Sequence, residues 1–325
     1  MSTQLQFPLR TLGKTGIQIT PIGLGMMEFS GGGKGMMSGA FPTITQEEKN
    51  ATVKAALDGG INWFDTAELY GNGVSEAFLA AALKAAGKKN GEVVVATKWW
   101  PLFRTARNIP ITIQDRIRFL DGYSIDLYMV HHPSSLSTHE TEMKAMADLV
   151  EAGKIRSVGI SNFSAKQMRQ AYEALQKRGL PLAVNQVRYS LIDRSIETNG
   201  ILAAAKELGV TIIAYTPLGS GLLTGKYHKN PELMQQKHFF WRSRMQKNLE
   251  KTRPLVAALE EIGAKYNVTA AQVALNWVIS FNGDTIVTIP GATKVRQAEE
   301  SAGAMHFRLS EQELARLDEL SKAYR

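Results

Sequence analysis

Eight short runs rich in β-branched and apolar residues recur along this chain, near 21–25, 61–66, 93–98, 125–131, 158–161, 184–187, 211–216 and 285–290. Between them lie stretches with the apolar spacing of amphipathic helices, at 46–58, 76–85, 139–151, 165–177, 201–208, 255–266 and 271–280. Strands separated by helices pair in parallel, because a parallel partner requires a long crossover. Eight such units predict an α/β fold of one kind, a (β/α)8 TIM barrel. Ahead of the first run, Leu12-Gly13-Lys14-Thr15-Gly16-Ile17 reads as an N-terminal β-hairpin, with Gly16 suited to its tight turn. Gly153, Gly179 and Gly209 stand where three helices should stop. No Pro/Gly/Ser-rich linker divides residues 1–325, so the expectation is a single barrel domain, which commonly exceeds the usual one-domain length.

A barrel of this kind keeps its chemistry at the C-terminal ends of its strands. At or near those ends the chain carries Asp65, Lys98, His131, Ser161, Gln186 and Tyr215, with Tyr70 just beyond the second run. Singly, Asp65 could cap a turn, Lys98 could be a surface residue and His131 a hydrogen-bonded core histidine. Six polar residues at successive strand ends are better explained by a shared site. A phenol with a reference pKa of about 10 is a poor acid near neutrality. A neighbouring ammonium lowers that value, and a carboxylate paired with the ammonium holds it charged. A tyrosine so tuned can protonate a carbonyl oxygen while hydride arrives at the carbon. Of the adjacent His131 and His132, strand alternation places His131 on the face of Leu127 and Met129, which leaves His132 for the rim. Trp99 and Trp100 follow Lys98 directly. Trp99 is expected to line the substrate pocket with Met27 and His132.

Composition narrows the function classes. The absence of cysteine excludes disulfides, thiolate metal sites and a thiol nucleophile, and the expected chemistry requires no metal. The first residues show no basic region followed by an apolar core, and no apolar run has the length of a membrane span. A soluble cytoplasmic protein without a membrane partner is the simplest expectation. The net charge of +8 raises the question of nucleic acid, but most of the excess is local. Between 226 and 253 stand Lys226, Lys229, Lys237, Arg242, Arg244, Lys247, Lys251 and Arg253 against Glu232 and Glu250. A solvated surface segment accounts for most of these charges, with Lys226 the candidate for phosphate contact. Phe239, Phe240 and Trp241 resemble a nucleic-acid pattern only superficially, so no nucleic-acid partner is expected.

The run Phe64-Asp65-Thr66-Ala67-Glu68-Leu69-Tyr70-Gly71 resembles the "F-D-T-A-x-x-Y-G" of the aldo-keto reductase superfamily. Lys98 matches the family's lysine, and His131 its histidine after "D-L-Y". Gly159-Ile160-Ser161-Asn162-Phe163, Asn185-Gln186 and the segment from Tyr215 to Tyr227 are similar to further motifs, so the resemblance spans almost the whole chain. It implies a catalytic tetrad of Asp65, Tyr70, Lys98 and His131, and NADPH in preference to NADH. It also implies that Ser161, Asn162 and Gln186 hold the carboxamide and that Tyr215 stacks on the nicotinamide. Thr216, Pro217, Leu218, Gly219, Ser220, Gly221 and Lys226 would enclose the pyrophosphate, with Gly25 and Met26 at the first strand end. No strand, Gly-x-Gly-x-x-Gly, helix succession is present, which disfavours a Rossmann domain.

The segment from Ile289 to Ser301 looks like the adenosine-phosphate element, with Gly291, Thr293, Gln297, Glu300 and Ser301 as its candidates. Gln297 and Ser301 depart from residues that many relatives carry there, whereas Thr293, Lys294 and Arg296 supply a hydroxyl and two cations. The first loop, which includes Gly31-Gly32-Gly33, resembles the branch of bacterial aldo/keto reductases and potassium-channel β subunits. The expected activity is reduction of a small aldehyde or ketone. Two other readings are a nucleotide-sensing accessory protein with slow turnover, and a Schiff-base aldolase using Lys98. The second is opposed by Asp65, which would keep Lys98 protonated. The sequence leaves the substrate and the oligomeric state open.

Overall fold

The computed structural model describes residues 6–31, 43–236 and 239–325. Gly32, Gly33 and Lys237 lie outside the described residues, as do the side chains of Phe239, Phe240, Trp241, Arg242, Arg244 and Lys247. Two short antiparallel strands, β1 (Arg10–Thr11) and β2 (Gln18–Ile19), form the expected hairpin. The barrel strands are β3 (Leu24–Gly25), β4 (Trp63–Asp65), β5 (Val94–Trp99), β6 (Ile125–Val130), β7 (Ile155–Ser161), β8 (Leu182–Arg188), β9 (Thr211–Tyr215) and β10 (Ile286–Thr288). All eight pair in parallel and in sequence order. The ring closes through parallel bridges from Ile22 to Thr288 and from Gly25 to Gly291. Gly23 N donates to Thr288 O at 2.9 Å and Gly25 N to Pro290 O at 3.0 Å. Closure removes the exposed sheet edges that would otherwise template aggregation.

Alternation along the strands separates two apolar layers. Trp63, Ala96, Leu127, Met129, Val184, Ile213 and Val287 fill the barrel, joined by Leu12, Ile17 and Ile19 of the hairpin. Gly13 N donates to Thr211 Oγ1 at 2.8 Å, so the hairpin seals the N-terminal end of the barrel. The opposite end is left for chemistry. The second layer lies between strands and helices and includes Phe64, Val95, Tyr128, Val130 and Ile160.

The helices are α1 (Gln46–Asp58), α2 (Val74–Ala85), α3 (Ile109–Phe119), α4 (His139–Glu151), α5 (Ala165–Gln176), α6 (Ile201–Leu208), the short α7 (Lys226–Lys229), α8 (Phe239–Tyr266), α9 (Ala270–Ser280), α10 (Val295–Gly303) and α11 (Glu311–Ser321). Capping boxes begin α1 at Thr45, α5 at Ser164, α9 at Thr269 and α11 at Ser310. Helices α3, α7, α10 and α11 were not among the expected elements, and α8 starts well before 255. Pro254 lies inside α8, where a proline normally signals a helix start or break. No helix among the described residues is long and apolar enough to cross a membrane.

Candidate active site

Asp65 ends β4, and Lys98 is the penultimate residue of β5. Both are buried. Lys98 Nζ donates to Asp65 Oδ1 at 2.5 Å and to Thr66 O at 2.9 Å. Gln186 Nε2 donates to Asp65 Oδ2 at 2.9 Å, so both carboxylate oxygens are occupied. Burial pushes the Asp65 carboxyl up and the Lys98 ammonium down, each opposed by its partner's charge. Lysine donation to both a carboxylate and a carbonyl favours the ion-paired form.

Tyr70 sits in the turn after β4, where its amide donates to Ala67 O at 3.0 Å. Its ring centroid is 5.0 Å from Lys98 Nζ and 5.7 Å from the His131 ring, which it meets edge-on at 83°. Burial pushes the phenol well above its ordinary value, reinforced by Asp65, Glu28 and Tyr215. The direction is thus opposite to the lowering expected from Lys98. Lys98 directs its hydrogen bonds at Asp65 and Thr66, and desolvation of the phenolate dominates.

His131 immediately follows β6, and its amide donates to Trp99 O at 3.0 Å. Burial, Lys98 and His132 hold its imidazole well below its ordinary pKa. Its Nδ1 is buried and has no hydrogen-bond partner, and its ring lies beside those of Tyr70 and Trp100. Such an atom calls for a ligand or water. His132 is exposed.

Two placements correct the sequence reading. Trp99 is fully buried in the layer between strands and helices, because Lys98 takes the inward position and its neighbour must point outward. Trp100 instead packs edge-on against His131 at 5.3 Å and 82°. Met26 likewise lies in the outer apolar layer, with its amide donating to Asp65 O at 2.9 Å, so only its backbone reaches the site. Met27 is half-buried.

Ser161, Asn162, Gln186 and Tyr215 form one network. Tyr215 Oη donates to Asn162 Oδ1 at 2.9 Å, and Asn162 Nδ2 donates to Ser161 Oγ at 3.0 Å and His131 O at 3.2 Å. Ser161 Oγ donates to Gln186 O at 3.0 Å. Gln186 ties this network to Asp65. Beyond Tyr215, the backbone turns left-handed at Thr216 (φ 54°), Ser220 (φ 57°) and Gly221 (φ 92°). Gly219 and Gly221 amides donate to Thr216 O and Leu218 O at 3.0 Å, closing turns within the segment, with Pro217 buried. The Lys226 side chain lies over Gly221, where a Cβ would come within 3.3 Å of its Cε.

Gly25 and Gly291 adjoin across the barrel closure. A Cβ on Gly291 would collide with the Glu28 carboxylate, a residue that no sequence motif singled out. In the next turn, Thr293 N and Oγ1 donate to Gln297 Oε1 at 2.8 and 3.1 Å, so Gln297 shapes the entry to α10. Lys294 and Arg296 are exposed there, Arg296 standing 3.4 Å from Glu300. Ser301 is buried. Arg188, also unread in the sequence, lies 5.8 Å over the Tyr215 ring.

The profile of the Aldo/keto reductase family matches residues 21–322. The chain belongs to this family. An aldo-keto reductase of Strobilurus tenacellus is 34% identical over 98% of this chain and 93% of its own. The Schizosaccharomyces pombe aldo-keto reductase yakc, named with NADP(+), is 33% identical over 82% of this chain and 80% of its own. Among solved structures, a thermostable aldo-keto reductase in complex with the inhibitor epalrestat has a TM-score of 0.76 and 29% identity, covering 97% of this chain and all of its own. As an aldo/keto reductase, the chain is an NAD(P)H-dependent oxidoreductase that acts on small-molecule carbonyl compounds.

Proposed function

We propose that this aldo/keto reductase uses NADPH to reduce aldehydes or ketones to alcohols, with Tyr70 as the general acid. The observation that carries the reading is the convergence of the Tyr70 and His131 rings beside the buried Asp65–Lys98 pair. A carbonyl oxygen held by both could take its proton from only one of them. His131 is neutral because its pKa is depressed, so it orients the oxygen by hydrogen bond and has no ready proton to give. Tyr70 retains its proton and gives it up as charge develops on the oxygen. Lys98 holds a positive charge 5.0 Å from the phenol ring, and this preset field stabilises the phenolate that results. Asp65 keeps Lys98 protonated, which also opposes the aldolase reading, since a Schiff-base lysine must lose its proton.

The residues fit a nicotinamide dinucleotide. Ser161, Asn162 and Gln186 are already crosslinked and would hold the carboxamide, with Tyr215 against the ring. The left-handed turn at 219–221, with Lys226 across it, suits a pyrophosphate. When bound, the reduced nicotinamide supplies the hydride. Exposed Lys294 and Arg296 at the start of α10 favour a 2′-phosphate and hence NADPH over NADH. Following NADPH absorbance across a panel of aldehydes and ketones tests the reading. Consumption that requires the carbonyl compound is expected; no consumption with any of them would refute it.

A further inference from the structure

Two large apolar side chains stand in solvent on the loops that leave the C-terminal ends of β5 and β6. Phe103 is 83% exposed and Leu136 is 71% exposed. The loops are tied together, Leu136 N donating to Arg104 O at 2.8 Å. Phe103 also adopts φ 58°, a left-handed conformation that a bulky residue occupies only when its surroundings impose it.

The surroundings that impose it reach into the site. Glu68 is buried, and its Oε1 accepts from Arg104 Nη1 at 2.6 Å while its Oε2 accepts from Trp100 N at 3.0 Å. Arg104 Nη1 also donates to Trp100 O at 3.3 Å, and Arg104 N to Pro101 O at 2.9 Å. Glu68 N donates to Lys98 O at 3.1 Å. One buried carboxylate therefore fixes the turn bearing Phe103 and the backbone of Trp100, whose ring packs on His131. Exposed apolar surface held in a strained turn beside a reaction site marks a binding role.

We propose that Phe103 and Leu136 continue the Trp100 wall outward as a lip that binds the apolar tail of the carbonyl substrate, with Glu68 and Arg104 as positioning residues. The substrate class is an aldehyde or ketone carrying an extended aliphatic or aromatic group. This rests on the reductase reading above. The occupant is the substrate tail because the two loops are bonded through Arg104 to Trp100, whose ring packs on that of His131.

The test compares kcat/KM for hexanal and propanal with NADPH. Three further methylenes on a partly enclosing apolar surface should favour hexanal by about tenfold or more. Phe103→Ser should reduce that ratio at least about threefold, chiefly through KM for hexanal. Glu68→Gln should do the same, whereas a merely structural loss would lower kcat for both aldehydes together. NADPH fluorescence titration and a melting curve monitor cofactor binding and folding in each variant. A wild-type ratio near one, or an undiminished ratio in Phe103→Ser, would overturn the lip. If neither aldehyde is reduced, the reductase reading fails. Calorimetric titration with 1-hexanol then decides separately: binding weakened by Phe103→Ser upholds the lip, and equal or absent binding removes it.

Discussion

Glu76 lies fully buried near Lys98, its carboxylate accepting from Thr97 Oγ1 at 2.5 Å and standing 2.9 Å from Arg116 Nη1. Burial pushes its pKa up from 4.5 to about 7. Across that window the folded chain holds a proton that the unfolded chain has released, so this group's contribution to stability falls as pH rises from about 4.5 to about 7. Glu76→Gln should flatten that part of the stability profile in denaturant titrations; an unaltered slope would argue against it. Lys98→Met should destabilise the fold by about 3 kcal/mol near pH 8, because it strands the buried Asp65 carboxylate. The loss should shrink in acid, where Asp65 takes up a proton, and a pH-independent loss would contradict that origin. Asp65, Lys98 and His131 were legible because each stands at or beside a strand end within a recognisable run, and Tyr70 because its run continues into the turn after β4. Trp99 was misplaced although the alternation that selected His131 would have turned it outward. Glu28, Arg188 and the Glu68–Arg104 pair act through contacts between segments distant in sequence, which no local pattern displays.

Elements with caps and clear periodicity were the readable ones. Helices α1, α4 and α6 occupy the expected residues, whereas α3 begins Ile109-Pro110-Ile111-Thr112-Ile113, a β-branched run that reads as a strand. Packing overrides that propensity, since Ile109 and Ile113 are one helical turn apart and both buried. The buried residues of α10 are only Ala298, Ser301 and Ala302, too small to give an apolar stripe. The N-terminus of α10 carries the cofactor prediction. Lys294→Ala with Arg296→Ala should weaken NADPH at least about tenfold while sparing NADH, as one lost charge-assisted contact of about 1.5 kcal/mol requires. Fluorescence titration reads this directly, and equal losses for both cofactors would place the cations off the phosphate. Within β7, Gly159 faces the barrel interior, where a Cβ would come within 2.8 Å of Met129 Cγ and 2.5 Å of Val184 Cγ2. Gly159→Ala should therefore cost roughly 1–3 kcal/mol in chemical denaturation; a neutral result would show that Met129 and Val184 can yield.

At the scale of the molecule, the hairpin seals one end of a closed barrel and the strand ends at the other assemble the polar network. That architecture was legible as eight alternating units, but the closure through Pro21, Gly23, Gly25, Thr288 and Pro290 was not, because it joins the two extremes of the chain. The C-terminal residues are fastened similarly: Arg194 N donates to Tyr324 O at 2.7 Å, and Arg194 Nη2 stands 2.6 Å from Asp318 Oδ1. Within that fold, the proposal to be tested is that Tyr70 gives the proton. The most direct measurement is kcat/KM for aldehyde reduction by wild type and Tyr70→Phe, with NADPH affinity titrated in parallel. The account predicts a loss on the order of a hundredfold or more in kcat with nearly unchanged cofactor affinity. Wild-type kcat in Tyr70→Phe would contradict it.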